Sequence, residues 1–217
     1  WNPAWMSVAA VGVVASLVLF LINAVAAVDV RRPNSVTRAH LSAALAMLVI
    51  TASFGVTWVG TLEHLWFPVT LGKLSGHAHI GLLGWLGLTM MGVSYQLVPM
   101  FNMVQKREPR LGWAALAATC GSALVGGLVL MSDPGRELRM SVAAAMAVGP
   151  ALWSIDMLRL LLARSRRTLD VQGKATLVSL GFLAATVALG FVAAIGEPLR
   201  DADHSANWQL AYGTVSY

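Results

Sequence analysis

The sequence predicts an all-α fold, a polytopic bundle of transmembrane helices. Three observations carry this. Only 12% of the 217 residues are charged while 57% are apolar, and the mean hydropathy is +0.69. A soluble domain carries about 25% charged residues, so this density cannot clothe a globule of such size. The charges also fall into short islands between six charge-free runs, at residues 5–28, 41–62, 77–104, 111–131, 140–155 and 175–195. Most of these reach the ~20 residues that cross a ~30 Å hydrocarbon core at ~1.5 Å per residue. Backbone polar groups in lipid must be satisfied within their own segment, so the spans are expected to be helices.

Taken in order, the first run has basic residues after it and none before it, the pattern of a retained span rather than a cleaved signal peptide. Its Asn23 is expected to hydrogen-bond between helices. The second run follows Arg38 and His40. The third opens on Gly76-His77-Ala78-His79 and leaves through Val98-Pro99. The fourth is rich in alanine and glycine, and the fifth is short, completed by a stretch containing Asp156. The sixth is followed by an acidic connection, after which apolar residues resume at Trp208 and stop at Tyr217. The expectation is six complete spans plus the start of a seventh. Residues 1–217 read as a single transmembrane domain, a portion of a longer chain.

The basic residues orient the bundle. Eleven of the 15 Lys and Arg lie in the islands at 29–39, 102–110 and 159–174, leaving Lys73, Arg136, Arg139 and Arg200 for the alternate connections. By the positive-inside rule the former are cytoplasmic and the N-terminus is outside. The net charge of +5 is therefore a topology signal, and no clustered patch with base-reading side chains suggests nucleic acid. One cysteine, Cys120, forms no internal bridge. Phosphate-binding glycine loops, H-E-x-x-H, C-x-x-C and serine nucleophile elbows are missing from the sequence, so nothing supports a hydrolase or an ATPase. The ten methionines form no M-x-x-M array, which favours packing over copper traffic.

Topology sorts the five histidines. His40 opens the second span at the cytoplasmic side and reads as an interfacial side chain beside Arg38. His64, His77, His79 and His204 fall at or near the outer surface, His64 among Trp66 and Phe67. On a wheel of ~100° per residue, His77, Gly81, Gly84, Leu88, Met91, Gly92 and Tyr95 share one face, while His79 points the opposite way. The two histidines cannot grip one ion from an unbroken helix. A face of small residues admits either a neighbouring helix or a flat cofactor. In the second case His77 is placed to ligate haem iron axially, with the porphyrin lying over Gly81 and Gly84. In the first, the face is a packing seam.

At this segment, H-x-H followed by Leu83-Gly84-Trp85, Gly92 and Val98-Pro99, the sequence resembles the haem–copper oxidase subunit I superfamily. That group includes cytochrome c oxidases, nitric oxide reductases and the related NnrS-type membrane proteins. The resemblance implies that a histidine at the outer end of the span ligates a b-type haem. His77 is the best match and His79 the second, with Gly81 and Gly84 beside the ring. It further implies electron transfer, reduction of oxygen or nitric oxide where a copper centre is complete, and a donor of electrons at the outer face. His204 is the one residue here that matches the region of a copper ligand. Membrane lipid, and other subunits or a further part of the same chain, are the expected partners, and a bacterial cytoplasmic membrane the expected location. Two rival readings stand beside this one: a non-enzymatic gas-response protein of the NnrS kind, and a cofactor-free transporter or structural subunit. Asp156, one turn from Arg159, suits a local ion pair or a proton-path carboxylate.

Overall fold

The computed structural model describes residues 3–27, 36–64, 69–104, 110–164 and 168–195. Among these residues six helices are long and apolar enough to cross a membrane. These are α1 (Pro3–Ala27), α2 (Val36–His64), α3 (Leu71–Phe101), α4 (Gly112–Leu130), α5 (Arg136–Leu162) and α6 (Val171–Ile195). The chain is thus an all-α, multi-pass membrane protein, with no strand among the described residues. The stretch expected to begin a seventh span, from Trp208 onward, lies outside the described residues.

Five of the helices start earlier than the charge-free runs, α2 and α3 by the most. In α3, the Thr70 hydroxyl accepts the backbone N–H of Lys73 at 3.3 Å, so the helix begins at Leu71 and His77 sits in its second turn. Such a cap satisfies one of the orphan amides of a helix start. Likewise α2 begins at Val36, which carries Arg38 and His40 inside the helix. At α6 the cap is Asp170, whose Oδ1 accepts from Gly173 N–H at 2.9 Å. Asn23 does not bond between helices as expected; its amide donates to Leu19 O at 2.8 Å within α1. A neighbouring carbonyl in its own helix is the nearest acceptor in an otherwise apolar stretch.

The third helix is the hub. It packs on α2 and α4, and its lower half also meets α5 and α6. Nothing in the most apolar window of α1 is buried, and this helix touches α2. Large apolar side chains such as Phe20 on α1 and Phe182 on α6 are exposed, as suits helices bathed in lipid. Between α3 and α4 the backbones come close. A Cβ on Gly76 would strike the carbonyl of Gly127, and one on Gly127 would strike Ile80. The α4–α5 seam is built the same way, with Gly149 against the backbone of Thr119. Small residues allow this approach, which is how helices gain packing energy in a medium as apolar as their own side chains.

Both central helices widen locally. Residues Ile80–Gly87 of α3 and Ser122–Gly126 of α4 form π-turns, and the two segments are in contact. The N–H of Leu88 reaches back five residues to Leu83 O. The helix is therefore not the uniform one assumed from the sequence. In a widened turn, steps of four residues stay closer to one line than in an α-helix. Gly76, Ile80, Gly84 and Leu88 are all buried accordingly.

Two apolar clusters hold the bundle. One gathers Ala44, Met47, Ile80 and Leu88 around its middle, with Phe54 and Trp85 against it. The other gathers Val36, Tyr95, Val98, Met157, Leu160 and Leu161 at the end where α2 begins and α3 and α5 finish. This is the end that carries most of the basic residues, and it is called the basic end below.

Candidate functional site

His77 leads the inward face of α3 and is partly buried against α2. Its ring lies 4.6 Å from that of Trp58, centroid to centroid, at 48°. Gly55 lies alongside: a Cβ there would stand 3.8 Å from the imidazole Cε1, an ordinary contact. Its Nδ1 is shielded from solvent and has no hydrogen-bond partner among the described residues. A free imidazole so placed is a competent donor to a metal ion or to haem iron.

His79 does something else. It is exposed, and its Nδ1–H donates to Ser75 O at 2.7 Å. The two histidines diverge as the helical spacing requires and do not meet at one ion. Among the described residues no group of three or more His, Cys, Asp or Glu could hold a metal. His204, the expected copper candidate, lies outside the described residues, as does the side chain of His64.

Gly81 and Gly84 face α2, and the space before them is taken. A Cβ on Gly81 would lie 3.1 Å from Thr51 Cγ2, and one on Gly84 would lie 3.1 Å from the side chain of Met47. Interiors of this kind are close-packed, so no porphyrin fits flat over these two glycines. The expectation of a haem wall here gives way to a packing seam, for a plain reason. The glycines that would admit a flat ring admit the preceding helix equally well, and α2 is tethered beside them.

His40 is the residue that sequence reasoning misplaced. It is not an interfacial side chain but is 0% exposed. Its ring lies 5.3 Å from that of Tyr95 at 55°, and its Nδ1–H donates to Val36 O at 2.8 Å. A Cβ at Gly92 would stand 2.8 Å from the His40 Cβ, so this glycine is what admits the histidine. The signal was present in the sequence: Val36, His40, Ala44 and Met47 recur at the spacing of one helical face, and all four are buried.

Close by, Asp156 of α5 is 3% exposed. Its Oδ2 accepts the N–H of Leu111 at 2.9 Å, bridging α5 to the start of α4. The expected ion pair is present, with Arg159 Nη1 3.7 Å from Oδ1. At that distance, with a half-exposed guanidinium, it adds little to stability. Trp153 Nε1–H donates to Ser94 Oγ at 2.8 Å, a second polar tie from α5 to α3.

The fold and site thus define a class, a multi-pass helical membrane protein with six spans among the described residues and one inward imidazole near each end of its α2–α3 seam. No family model, curated protein or solved structure matches the chain.

Proposed function

We propose that the chain is a membrane-integral haem protein in which His77 would hold the iron of a b-type haem. The observation that supports this reading is the imidazole of His77, partly buried at the head of α3 with its Nδ1 shielded and without a hydrogen-bond partner among the described residues. The resemblance of its segment to the subunit I superfamily points the same way. Haem supplies one-electron chemistry when bound, and the reading is one of electron transfer, with a donor at the outer face. Within the chain, Trp58 packs its ring against that of His77 at 4.6 Å between centroids. Because Thr51 and Met47 fill the ground before Gly81 and Gly84, no haem is placed between α2 and α3. Any further ligand to the haem would come from another chain, from a further part of this one, or from His64 or His204. Reduction of oxygen or nitric oxide belongs to this proposal only where a copper centre is added. His204 is the residue available for that, since His79 faces away. The membrane proposed is the bacterial cytoplasmic one, with the N-terminus outside.

A second reading, a cofactor-free transporter or structural subunit, draws support from the same filled seam. Gly81 and Gly84 already have a full structural use in packing against α2. A gas-response protein of the NnrS kind would share the haem and lack turnover. The experiment is a reduced-minus-oxidised visible spectrum of the purified chain, His77→Ala and His79→Ala. Haem lost in His77→Ala and kept in His79→Ala is the expected result. Loss only in His79→Ala would reassign the ligand, and a chain without Soret absorption would leave the cofactor-free reading.

A further inference from the structure

At the basic end, Asp156 brings two arginines of different helices near one another. Its Oδ2 accepts the Leu111 N–H at 2.9 Å, and its Oδ1 lies 3.7 Å from Arg159 Nη1. The backbone of Arg110, the residue before Leu111, is thereby held close to Arg159. The carboxylate between them is buried and already holds an amide, so it does little to neutralise both. Arg159 is 52% exposed. Arg110 is exposed and makes no hydrogen bond or ion pair among the described residues. Two such guanidiniums suit a phosphate, which they bind more strongly than neutral donors do. Trp113, itself half exposed, marks this depth as that of the headgroups, where tryptophan is enriched. At the opposite end of α5, Arg136 and Arg139 are matched in number by Asp133 and Glu137.

An apolar track leads from the two arginines into the bilayer. At ~100° per residue, Arg159, Ile155, Leu152 and Val148 share one line of α5, and none of them is buried. Ala114, Ala117 and Gly121 form an exposed line on α4. The two lines meet in an open cleft of about 610 Å³, where Ala117 and Gly121 stand with Ala145 and Val148. A Cβ on Gly121 would meet nothing within 4 Å, so the floor there is clear. The hydroxyls of Ser122 and Ser141 in the cleft donate to carbonyls of their own helices. The cleft therefore asks for an apolar guest.

The depth of the cleft fits one leaflet. Half of a ~30 Å hydrocarbon core is ~15 Å, or about ten residues of helix. Counted from Leu111 and from Arg159, that distance ends at Gly121 and beside Val148, where the cleft opens. We propose that the α4–α5 face binds one anionic phospholipid of the leaflet at the basic end. Arg110 and Arg159 hold its phosphate, and one acyl chain follows the track to lodge its end in the cleft. A zwitterionic lipid brings its own cation to the same place. A second copy of the chain, related by an axis along the membrane normal, sets the same guanidiniums against each other.

This inference does not rest on the haem reading. The full chain, stripped of lipid in a neutral detergent, is titrated with phosphatidylglycerol and with phosphatidylcholine of identical acyl chains. Bound lipid is counted by native mass spectrometry. The first phosphatidylglycerol is expected to bind roughly tenfold more tightly than phosphatidylcholine. Arg110→Gln should weaken it about fivefold, and Arg110→Gln with Arg159→Gln roughly twentyfold, while Arg136→Gln leaves it unchanged. Gly121→Leu fills the cleft floor and should weaken it about threefold with both charges in place. Equal affinity for the two lipids overturns the proposal, and so does an equal loss in Arg136→Gln. Unaltered phosphatidylglycerol binding in Arg110→Gln or in Gly121→Leu does the same. Arg110 makes no bond among the described residues, so its single variant decides the matter even where the double variant fails to fold. A dimer that dissociates in Gly121→Leu while lipid binding persists gives the cleft to a second copy and overturns the lipid site.

Discussion

Gly92→Ala is the sharpest test of how α2 and α3 are held together. The added Cβ would stand 2.8 Å from His40 Cβ and 3.2 Å from Thr37 O. Carbon atoms pack best at about 3.5–4.0 Å, so the two helices must part by about 1 Å. Neither obstacle is the end of a flexible side chain, since one is a Cβ and the other a backbone carbonyl. Overpacking of this kind costs about 1–3 kcal/mol. Alanine returns about 1 kcal/mol of helix propensity over glycine. The net expectation is a loss of about 1 kcal/mol, roughly fivefold in the unfolding constant. Gly181→Ala on α6 is the matched control, because nothing lies within 4 Å of its added Cβ. It should gain the propensity alone, which separates the two variants by about 2 kcal/mol. Reversible unfolding of the purified chain in mixed micelles with increasing dodecyl sulfate, followed by helical circular dichroism, measures both. If Gly92→Ala proves as stable as Gly181→Ala, the close α2–α3 approach at His40 is wrong.

Two further substitutions probe the polar ties of α5. Asp156→Ala leaves the Leu111 N–H without its acceptor and should cost about 1–3 kcal/mol, while Asp156→Asn retains most of that stability in the same unfolding assay. Trp153→Phe removes the donor to Ser94 Oγ. It should cost about 1 kcal/mol, with Ser94 keeping its own bond to Met91 O at 2.7 Å, and a blue-shifted tryptophan emission component should disappear from the fluorescence spectrum.

Six spans were legible because charge density alone decides what can sit in lipid. Their ends were less so. Arg38 and Lys73 lie within the first turns of α2 and α3, where long basic side chains reach out of the apolar layer along their own stems. A reading that begins each span at the last charge therefore starts it too late. That error made His40 look interfacial, where it is buried, and His77 terminal, where it sits in the second turn. The divergence of His77 from His79 needed only helical geometry and was readable. Which partner would occupy the glycine face was not, because a helix and a flat cofactor make the same demand on sequence. The π-turns were hidden for a related reason. Gly76, Ile80, Gly84 and Leu88 recur every four residues, but nothing in their chemistry says whether a helix will widen to keep them aligned.

The order of apolarity along the chain bears on how the protein is made. The first and last helices are the most apolar, and α3 the least of the six. A nascent α3 carries Lys73, two histidines and a backbone full of glycine into a bilayer that rewards none of them. By then α2 has already emerged, offering Trp58 to His77, Thr51 and Met47 to the glycines, and His40 to Gly92. Insertion of α3 is thereby coupled to a partner synthesised just before it. Lesions on the α2 side of that seam should show first as failed membrane integration of α3, upstream of any loss of activity.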